Sequence, residues 1–301
     1  MVRVQVPATT ANLGPGFECL GMALELYTVV EFTPVSSGLT IEVSGEGAQS
    51  IARDDTNLVY RAASRVFQVV NHPSGEGLRI RIISNIPPAR GLGSSAAAIV
   101  GGVMAANVLT GSRLSTRELI NIATALEGHP DNVTPALCGG IVVAVAVEGD
   151  IRHIKISPPA GLKAVVAIPD FQLPTLTARE ALPQQIPMQD AVFNLGRVAL
   201  LVAALQQGDL GMLGTAMEDR LHQPYRANLV PGMKKVLAAT RLAGARGVTL
   251  SGSGPSLVAF ADNNFNLIAG VMRDTFRRNG ITAKVMVLNP SPVGARALEI
   301  K

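Results

Sequence analysis

Two short segments near the start of the chain alternate apolar with polar residues. Segments 2–6 and 78–82 both place valine, leucine or isoleucine on every second position, with arginine or glutamine between them. Successive side chains of a strand point to opposite faces, so this period of two predicts two half-buried strands. Between them, Asp55 or Thr56 can cap a predicted helix over 57–70. The first part of the chain is therefore predicted to mix α and β.

The pattern then predicts a second helix and a boundary between two lobes. Ser115 and Glu118 form a capping box for a helix that runs to about Glu127. An apolar run and a short strand candidate follow, and the sequence Ser-Pro-Pro at 157–159 interrupts the pattern. We therefore predict one lobe over residues 1–157 and a second lobe over 158–301.

The second half has a recognisable order of elements. Strands are predicted at 162–170, 247–252, 256–262 and 283–288, with helices up to about residue 242 and again over 266–280. Two strand-helix-strand halves in this order are the pattern of a ferredoxin-like α/β sandwich. The predicted fold class is therefore α+β with two lobes.

Composition narrows the class of protein. Apolar residues make up 48% of the 301 residues and charged residues 16%, without any tryptophan, which predicts a compact aliphatic core. The formal net charge is +4, but no lysine and arginine cluster is interleaved with aromatic residues. A surplus this small and dispersed argues against nucleic acid as a partner and leaves room for a local site for an anionic small molecule.

The two cysteines, Cys19 and Cys138, have neither disulfide-framework nor zinc-ligand spacing. The N-terminus does not resemble a signal peptide, and no uninterrupted apolar stretch reaches the roughly 18 residues of a membrane span. We therefore expect a cytoplasmic protein without a membrane partner.

The segment 86–107 carries the strongest chemical signal. A strand ends at two prolines, a turn containing Gly91 and Gly93 follows, and a helix of small residues begins at about Ser94. Unpaired N–H groups and the dipole at a helix N-terminus favour an anion, and glycine lets the backbone approach it, so we predict a phosphate site. The segment is not a Walker motif because no lysine follows the glycines. The alternative is an ordinary glycine-rich turn before a helix packed on a sheet.

Three blocks resemble the motifs of one family. PPARGLGSSAA (87–97) looks like the phosphate loop of the GHMP kinases, and PATTANLGPGFECLGMAL (7–24) and VTLSGSGPSLVAF (248–260) resemble two other motifs of that family. The resemblance implies a ribosomal-S5-like N-terminal lobe, a ferredoxin-like C-terminal lobe, ATP and Mg²⁺ as cofactors, and a homodimer. It also implies that the SGSGPS turn steadies the phosphate loop and the substrate pocket from the second lobe.

The resemblance also assigns the nucleotide site. The residues expected to contact the phosphates are Pro88, Ala89, Arg90, Gly91, Leu92, Gly93, Ser94, Ser95 and Ala96. Asn57 matches a position near the nucleotide base, although it also suits the start of a helix. Ser95 and Glu127 are the candidate Mg²⁺ ligands, and the alternative for Glu127 is a helix-end carboxylate in water.

Four further blocks are similar to the homoserine kinase branch of the family: 11–21, 127–140, 175–183 and 222–232. This similarity implies phosphorylation of the side-chain hydroxyl of L-homoserine to O-phospho-L-homoserine, in threonine biosynthesis. Asn12 and Asn132 match substrate-contacting asparagines, while Arg179 and Arg226 match the arginines that hold the carboxylate. A guanidinium can bind a carboxylate through two charge-assisted hydrogen bonds. Glu18 stands where the branch usually has aspartate, and we expect it to pair with the substrate ammonium.

The same blocks assign the groups near the transferred phosphate. Asp131 and Asn132 are expected to orient the attacking hydroxyl, because phosphoryl transfer depends mainly on positioning and charge stabilisation. Thr175 matches a threonine near the transferring phosphate, with an ordinary loop hydroxyl as its alternative. His129 is interpreted as structural.

Two other functions remain open from the sequence: a GHMP kinase acting on another small alcohol such as mevalonate or shikimate, and a non-catalytic nucleotide-binding or RNA-binding protein. The pair Arg179 and Arg226, together with the 11–21 block, argues against a kinase of another small alcohol. The presence of Ser95, Glu127 and Asp131 together speaks against the second.

Overall fold

The computed structural model describes residues 1–72 and 77–300 and has two sheets with helices packed against them. The strands are β1 Val2–Ala11, β2 Leu20–Val35, β3 Leu39–Gly45, β4 Gly77–Ser84, β5 Ile141–Val147, β6 Asp150–Ile156, β7 Lys163–Pro169, β8 Gly247–Leu250, β9 Leu257–Ala261, β10 Ala283–Leu288 and β11 Arg296–Ile300. The helices are α1 Leu58–Val69, α2 Ser94–Leu109, α3 Thr116–Glu127, α4 Pro130–Cys138, α5 Thr175–Glu180, α6 Met188–Gln207, α7 Leu213–Ala216, α8 Gln223–Arg226, α9 Met233–Leu242 and α10 Phe265–Arg278.

The first sheet has seven strands and is built around the long strand β2. Its order is β11-β1-β2-β4-β3, and β5 pairs with the start of β2 and with β6. Helix α2 packs against β1, β2, α1 and α3, and most of its residues are buried. Its small side chains suit close packing, so its first turn is held firmly next to the sheet.

The second sheet has the order β10-β7-β9-β8, and all three pairings are antiparallel. Numbered within the lobe, this is strand order 4-1-3-2, the ferredoxin-like arrangement expected from the sequence. Helix α10 buries Ile268, Met272 and Phe276, which recur at a spacing of four residues and form one apolar face. This face packs with α9 and the sheet into a second hydrophobic core.

Most predicted elements of the first lobe are present, but the start of α1 differs, and α4, β2 and β3 appear in addition. Helix α1 begins later than expected, because Asn57 is its cap: the Asn57 side chain accepts a hydrogen bond from the Val59 N–H at 2.9 Å. Thr56 instead donates to Asp54 in the preceding turn. Strands β2 and β3 were not predicted.

The last strand joins the sheet of the first lobe. Strand β11 (Arg296–Ile300) pairs antiparallel with β1. A strand at the edge of a sheet has unpaired N–H and C=O groups, and β11 hydrogen-bonds those of β1. The division into lobes at 1–157 and 158–301 stays a prediction, with residues 296–300 hydrogen-bonded to the first sheet.

Helix α6 is long and apolar enough to cross a membrane by length and composition alone. One such helix is weak evidence for a span. In this structure Asp190 and Arg197 on α6 form ion pairs with Arg220 and Glu218, and α6 packs against α7.

Candidate active site

A cleft of about 450 Å³ lies at the junction of the two lobes. The start of α2, the loop 12–18, the start of α4, the start of α5 and the turn between β8 and β9 all contribute to its walls. The sequence blocks singled out above therefore meet in one place.

The start of α2 is built to approach a ligand through its backbone. Gly93 is the N-cap residue, with a left-handed φ of 69°, and no side chain caps the helix. A Cβ at Gly93 would overlap the Thr9 hydroxyl, so the sheet leaves space here for glycine alone. The uncapped N–H groups of the first turn, together with the helix dipole, form a site suited to phosphate.

The second lobe holds the phosphate loop through three hydrogen bonds. The Leu173 N–H donates to the Ala89 carbonyl at 3.1 Å, and the Arg90 side chain donates to the Asp170 carbonyl at 2.9 Å. The Ser251 hydroxyl donates to the Gly91 carbonyl at 2.6 Å. The position of the loop consequently depends on both lobes.

Two of the nine phosphate-loop residues face away from the cleft. The side chains of Leu92 and Ala96 are buried in the hydrophobic core, at 1% and 0% exposure. Only their backbone is available to a ligand, so their predicted contact with the phosphates would be made through backbone N–H groups. Leu92 also fastens the loop, since its carbonyl accepts a hydrogen bond from the Thr9 N–H.

Ser95 and Glu127, the candidate metal ligands, lie next to each other on the cleft wall. The Ser95 hydroxyl donates to Glu127 Oε1 at 2.6 Å, which joins the first turn of α2 to the last residue of α3. Burial raises the pKa of Glu127, and the hydrogen bond from Ser95 opposes that shift. Within residues 1–72 and 77–300, this cleft included, no group of three His, Cys, Asp or Glu side chains is placed to hold a metal ion.

Asp131 and Asn132 begin α4 and line the cleft. Asp131 Oδ1 accepts from Asn132 Nδ2 at 3.3 Å and lies 2.5 Å from His129 Nδ1. On the other side, the Thr9 hydroxyl donates to Asn132 Oδ1 at 2.7 Å. Because that oxygen is engaged by Thr9, the amide of Asn132 has a fixed orientation.

His129, interpreted from the sequence as structural, lines the cleft beside Asp131. Burial would lower its pKa, but the hydrogen bond to Asp131 and the charges of Asp131 and Glu127 raise the pKa above the ordinary value. A histidine that is readily protonated therefore stands beside two carboxylates. The signal in the sequence for this cluster was the spacing of Glu127, His129 and Asp131, which lie two residues apart.

Asn12 organises the loop that carries Glu18. The Asn12 amide donates to the Gly252 carbonyl at 3.1 Å and accepts from the Glu18 N–H at 3.0 Å. Glu18 has a left-handed φ of 59°, so this contact fixes an unusual backbone conformation. Its carboxylate forms an ion pair with Arg179, at 2.5 Å between Oε1 and Nη2.

Arg226 is almost fully buried yet lines the cleft. Its Nε donates to the Ala178 carbonyl at 3.0 Å, and its Nη1 lies 3.3 Å from both the Gly252 carbonyl and His222 Nδ1. Burial, and secondly the charge of Arg179, lowers the pKa of Arg226 to about 10, so the guanidinium remains charged near neutral pH.

Thr175 and Asn57 both line the cleft. Thr175 is the first residue of α5, and its hydroxyl lies 3.3 Å from that of Ser253 in the turn between β8 and β9. Besides capping α1, the Asn57 amide donates to the Ala52 carbonyl at 2.6 Å. Asn57 thus caps the start of α1 and holds the segment before it. Because it also lines the cleft, a position near the nucleotide base stays a prediction.

The predicted site is assembled in one cleft, and several residues were not foreseen. The predicted residues that line it are Asn12, Glu18, Asn57, Pro88, Ala89, Arg90, Gly91, Gly93, Ser94, Ser95, Glu127, Asp131, Asn132, Thr175, Arg179 and Arg226. Phe17, His129 and Ser253 also line the cleft, and Thr9 and His222 act behind it.

Comparison with known families identifies the class. Residues 57–140 match the family described as GHMP kinases N terminal domain, and residues 201–277 match GHMP kinases C terminal. Together with the α+β two-lobed fold and the uncapped glycine loop, these matches define a GHMP kinase.

Similarity to individual proteins is more specific. A homoserine kinase of Moorella thermoacetica is 48% identical, covering 98% of this chain and 99% of the relative. One of Caldicellulosiruptor bescii is 45% identical, covering 100% and 98%. The crystal structure of homoserine kinase from Cytophaga hutchinsonii has a TM-score of 0.90 and 31% identity, covering 99% of this chain and 97% of that one. The chain therefore belongs to the homoserine kinase family.

Proposed function

We propose that the protein transfers the γ-phosphate of ATP to the side-chain hydroxyl of L-homoserine, releasing ADP and O-phospho-L-homoserine, as a step of threonine biosynthesis. The observation that carries this proposal is the pairing of two subsites in one cleft. A helix N-terminus suited to phosphate lies in the same cleft as a carboxylate and two guanidinium groups, which together match a zwitterionic amino acid.

The nucleotide would be held mainly by the backbone. The N–H groups of the first turn of α2 would bind the phosphates, and Ser94 and Ser95 would add hydroxyls. Segment 50–59 borders the same cleft and would contact the base and ribose. Because Gly91 and Gly93 have no side chains, the phosphates can approach the backbone at these positions and the helix dipole closely.

Ser95 and Glu127 fit a Mg²⁺ ion that also binds the phosphates. They offer one hydroxyl and one carboxylate side by side, and Mg²⁺ in kinases is held by few protein oxygens together with phosphate oxygens and water. When bound, the ion would neutralise charge that develops on the phosphates. Burial raises the pKa of Glu127 because it disfavours the charged carboxylate, and a bound cation would stabilise that charged form.

The amino acid would be held by opposite charges at its two ends. Glu18 would accept from the substrate ammonium, while Arg179 and Arg226 would bind its carboxylate. Asn12 supports Glu18 and Gly252 from behind, which fixes the backbone of both. An acceptor without the ammonium or the carboxylate would leave a charged group of the cleft unpaired.

Asp131 and Asn132 would hold the side-chain hydroxyl of homoserine so that it points at the γ-phosphate of ATP. Thr175 would lie near the phosphate that is transferred. Transfer through a loose transition state needs orientation more than deprotonation, so Asp131 and Asn132 would position the hydroxyl oxygen in line. The hydroxyl proton can leave late, to the transferred phosphate itself.

The direct test is ADP release by the purified protein with MgATP and separate acceptors: L-homoserine, mevalonate, shikimate, galactose and none. We expect turnover with homoserine alone. Turnover with mevalonate or shikimate instead would support the other-alcohol alternative. ATP binding without turnover on any acceptor would refute the proposed function, and filter binding with RNA would then test the non-catalytic alternative.

A matched preparation of Glu127→Gln guards this assay against contaminating kinases, because host enzymes would give the same ADP signal in both samples.

The proposal includes a homodimer and a cytoplasmic location, which the family resemblance and two free cysteines support. Light scattering at micromolar concentration and cell fractionation test these two points. Threonine resembles the substrate, so we also expect it to inhibit competitively with homoserine.

A further inference from the structure

His222 is a buried histidine that has no place in the mechanism above. Its side chain is fully buried just before α8, and its ring stacks on Phe17, with centroids 5.2 Å apart and 24° between the planes. The Arg226 guanidinium lies 5.3 Å from the centroid of the same Phe17 ring. His222 therefore contacts two elements of the substrate site from behind.

The two ring nitrogens of His222 have different partners. Nε2 lies 2.7 Å from the Gly14 carbonyl, which can only accept, so Nε2 carries the proton. Nδ1 is then an acceptor and receives a hydrogen bond from Arg226 Nη1 at 3.3 Å. Burial lowers the pKa of His222, which keeps the ring in this neutral form. One side chain thus joins the substrate loop of the first lobe to the arginine of the second.

A buried carboxylate fixes the backbone on which His222 stands. The Asp219 side chain accepts hydrogen bonds from the N–H groups of Leu221, His222 and Gln223, at 2.8, 3.2 and 2.7 Å. Asn194 on α6 donates to Asp219 at 2.8 Å and to the Pro15 carbonyl at 3.3 Å. The second lobe therefore holds two successive carbonyls of the 12–18 loop, Gly14 through His222 and Pro15 through Asn194.

We propose that His222 is a positioning residue, which fixes Arg226 and the loop bearing Glu18 relative to each other so that both ends of the amino acid are bound at once. This role rests on the proposed function, because it concerns the amino-acid subsite. His222 itself does not touch the substrate. Its effect should appear in the binding of the amino acid and leave the nucleotide subsite unaffected.

Two substitutions separate the two contacts of the ring. The side-chain amide of His222→Gln can reach the place of Nε2 and still donate to Gly14, but it removes the acceptor for Arg226. The amide of His222→Asn overlies Nδ1, so its oxygen can accept from Arg226 while the Gly14 contact is lost. A hydrogen bond to a charged group corresponds to roughly tenfold to hundredfold in an equilibrium constant.

We expect His222→Gln to raise KM for homoserine by at least about tenfold, with KM for ATP changed less than about twofold, and His222→Asn to recover part of the loss. His153→Gln, on an exposed histidine of β6, is the matched control and should leave both constants unchanged. Equal changes in the two KM values, or an unaltered homoserine KM in His222→Gln, would overturn the positioning role.

A double-mutant cycle with Arg226→Lys distinguishes positioning from general stability. If His222 acts through Arg226, His222→Gln should have little further effect on homoserine KM in the Arg226→Lys background, whereas full additivity contradicts the role. If the His222 variants fail to fold, Asn194→Ser can be used instead, because it removes the hydrogen bond to the Pro15 carbonyl. We expect this variant to raise KM for homoserine several-fold. An unchanged KM for homoserine would count against the proposal. Absence of homoserine turnover by the wild type would refute the proposed function, whereas an active wild type with the wrong KM pattern refutes only the role of His222.

Discussion

Glu18 and Arg179, contributed by different lobes, form an ion pair across the cleft with 2.5 Å between their side-chain atoms. Both side chains are more than a third exposed, and ion pairs of that kind contribute about 0–1 kcal/mol. A zwitterionic substrate can therefore separate the pair at small cost and replace it with two new ion pairs. In the free protein each group neutralises the other and keeps it near its binding position.

The first prediction concerns that pair. Glu18→Ala should raise KM for homoserine by about tenfold to a hundredfold, the range of a lost charge-assisted hydrogen bond, and leave KM for ATP unchanged. Glu18→Asp, the conservative control, should lose less because the charge remains. A homoserine KM that does not change in Glu18→Ala would show that Glu18 does not bind the ammonium.

The second prediction concerns the metal. Glu127→Gln should raise the Mg²⁺ concentration for half-maximal rate by about tenfold or more, because it removes a charged oxygen ligand. Ser95→Ala should shift it in the same direction by less. Glu148→Gln, on an exposed carboxylate in the β5–β6 turn, is the control. Identical Mg²⁺ titrations for Glu127→Gln and Glu148→Gln would exclude Glu127 as a ligand.

The third prediction separates orientation from base catalysis. Asp131→Asn keeps the size of the side chain and removes its charge, and we expect kcat to fall by about tenfold to a hundredfold. General acid-base catalysis contributes about 10²–10⁴. A fall beyond a hundredfold would establish a base, and a fall below tenfold would contradict both roles. Single-turnover kinetics with saturating MgATP make the measurement independent of product release.

The fourth prediction concerns pH and stability. The pKa of His129 is raised in the folded state above its ordinary value of 6.5, since it is next to Asp131 and Glu127. Folding is then favoured by this group below pH 6.5, and the contribution disappears as the pH rises through the folded-state pKa. The difference in Tm between wild type and His129→Asn should shrink between pH 6 and pH 9, measured by calorimetry. A difference in Tm that stays constant, or that grows as the pH rises, would show that protonated His129 does not stabilise the folded state.

The fifth prediction uses two glycines that both have a left-handed φ. Gly93→Ala should lower Tm and raise KM for ATP, because the new Cβ overlaps Thr9 and displaces the phosphate loop. Gly128 also has a positive φ, but nothing lies within 4 Å of its Cβ position. Gly128→Ala should therefore show only the backbone penalty of about 1–2 kcal/mol. Equal effects of the two substitutions on ATP binding would contradict the role of the close approach.

The sequence predicted what depends on local chemistry. The capping box of α3 and the start of α2 are determined by residues within one helical turn, and the structure confirms both. The order of strands in the second lobe followed from a regular alternation of apolar segments and helices. The two helix starts require no contact between distant parts of the chain, whereas the second sheet pairs β7 with β10, more than one hundred residues away.

Other features depend on distant contacts, which the sequence does not reveal. Strand β2 alternates buried with less buried positions from Leu24 to Thr33. This period was missed in the sequence because polar Thr28 lies on the buried face and apolar Val29 on the other. Four adjacent residues, 54–57, could each have capped α1, and Asn57 is the one that also binds the Ala52 carbonyl. The roles of Thr9 and His222 depend on partners more than one hundred residues away.

The pairing of β11 with β1 has a consequence for how the protein is made. Strand β1 is synthesised long before the residues that cover its outer edge, which are 296–300. Until then β1 exposes unpaired N–H and C=O groups that another nascent chain could pair with. The sheet of the first lobe is thus complete only after residues 296–300 have been synthesised, whereas the ferredoxin-like lobe has all its strands by residue 288.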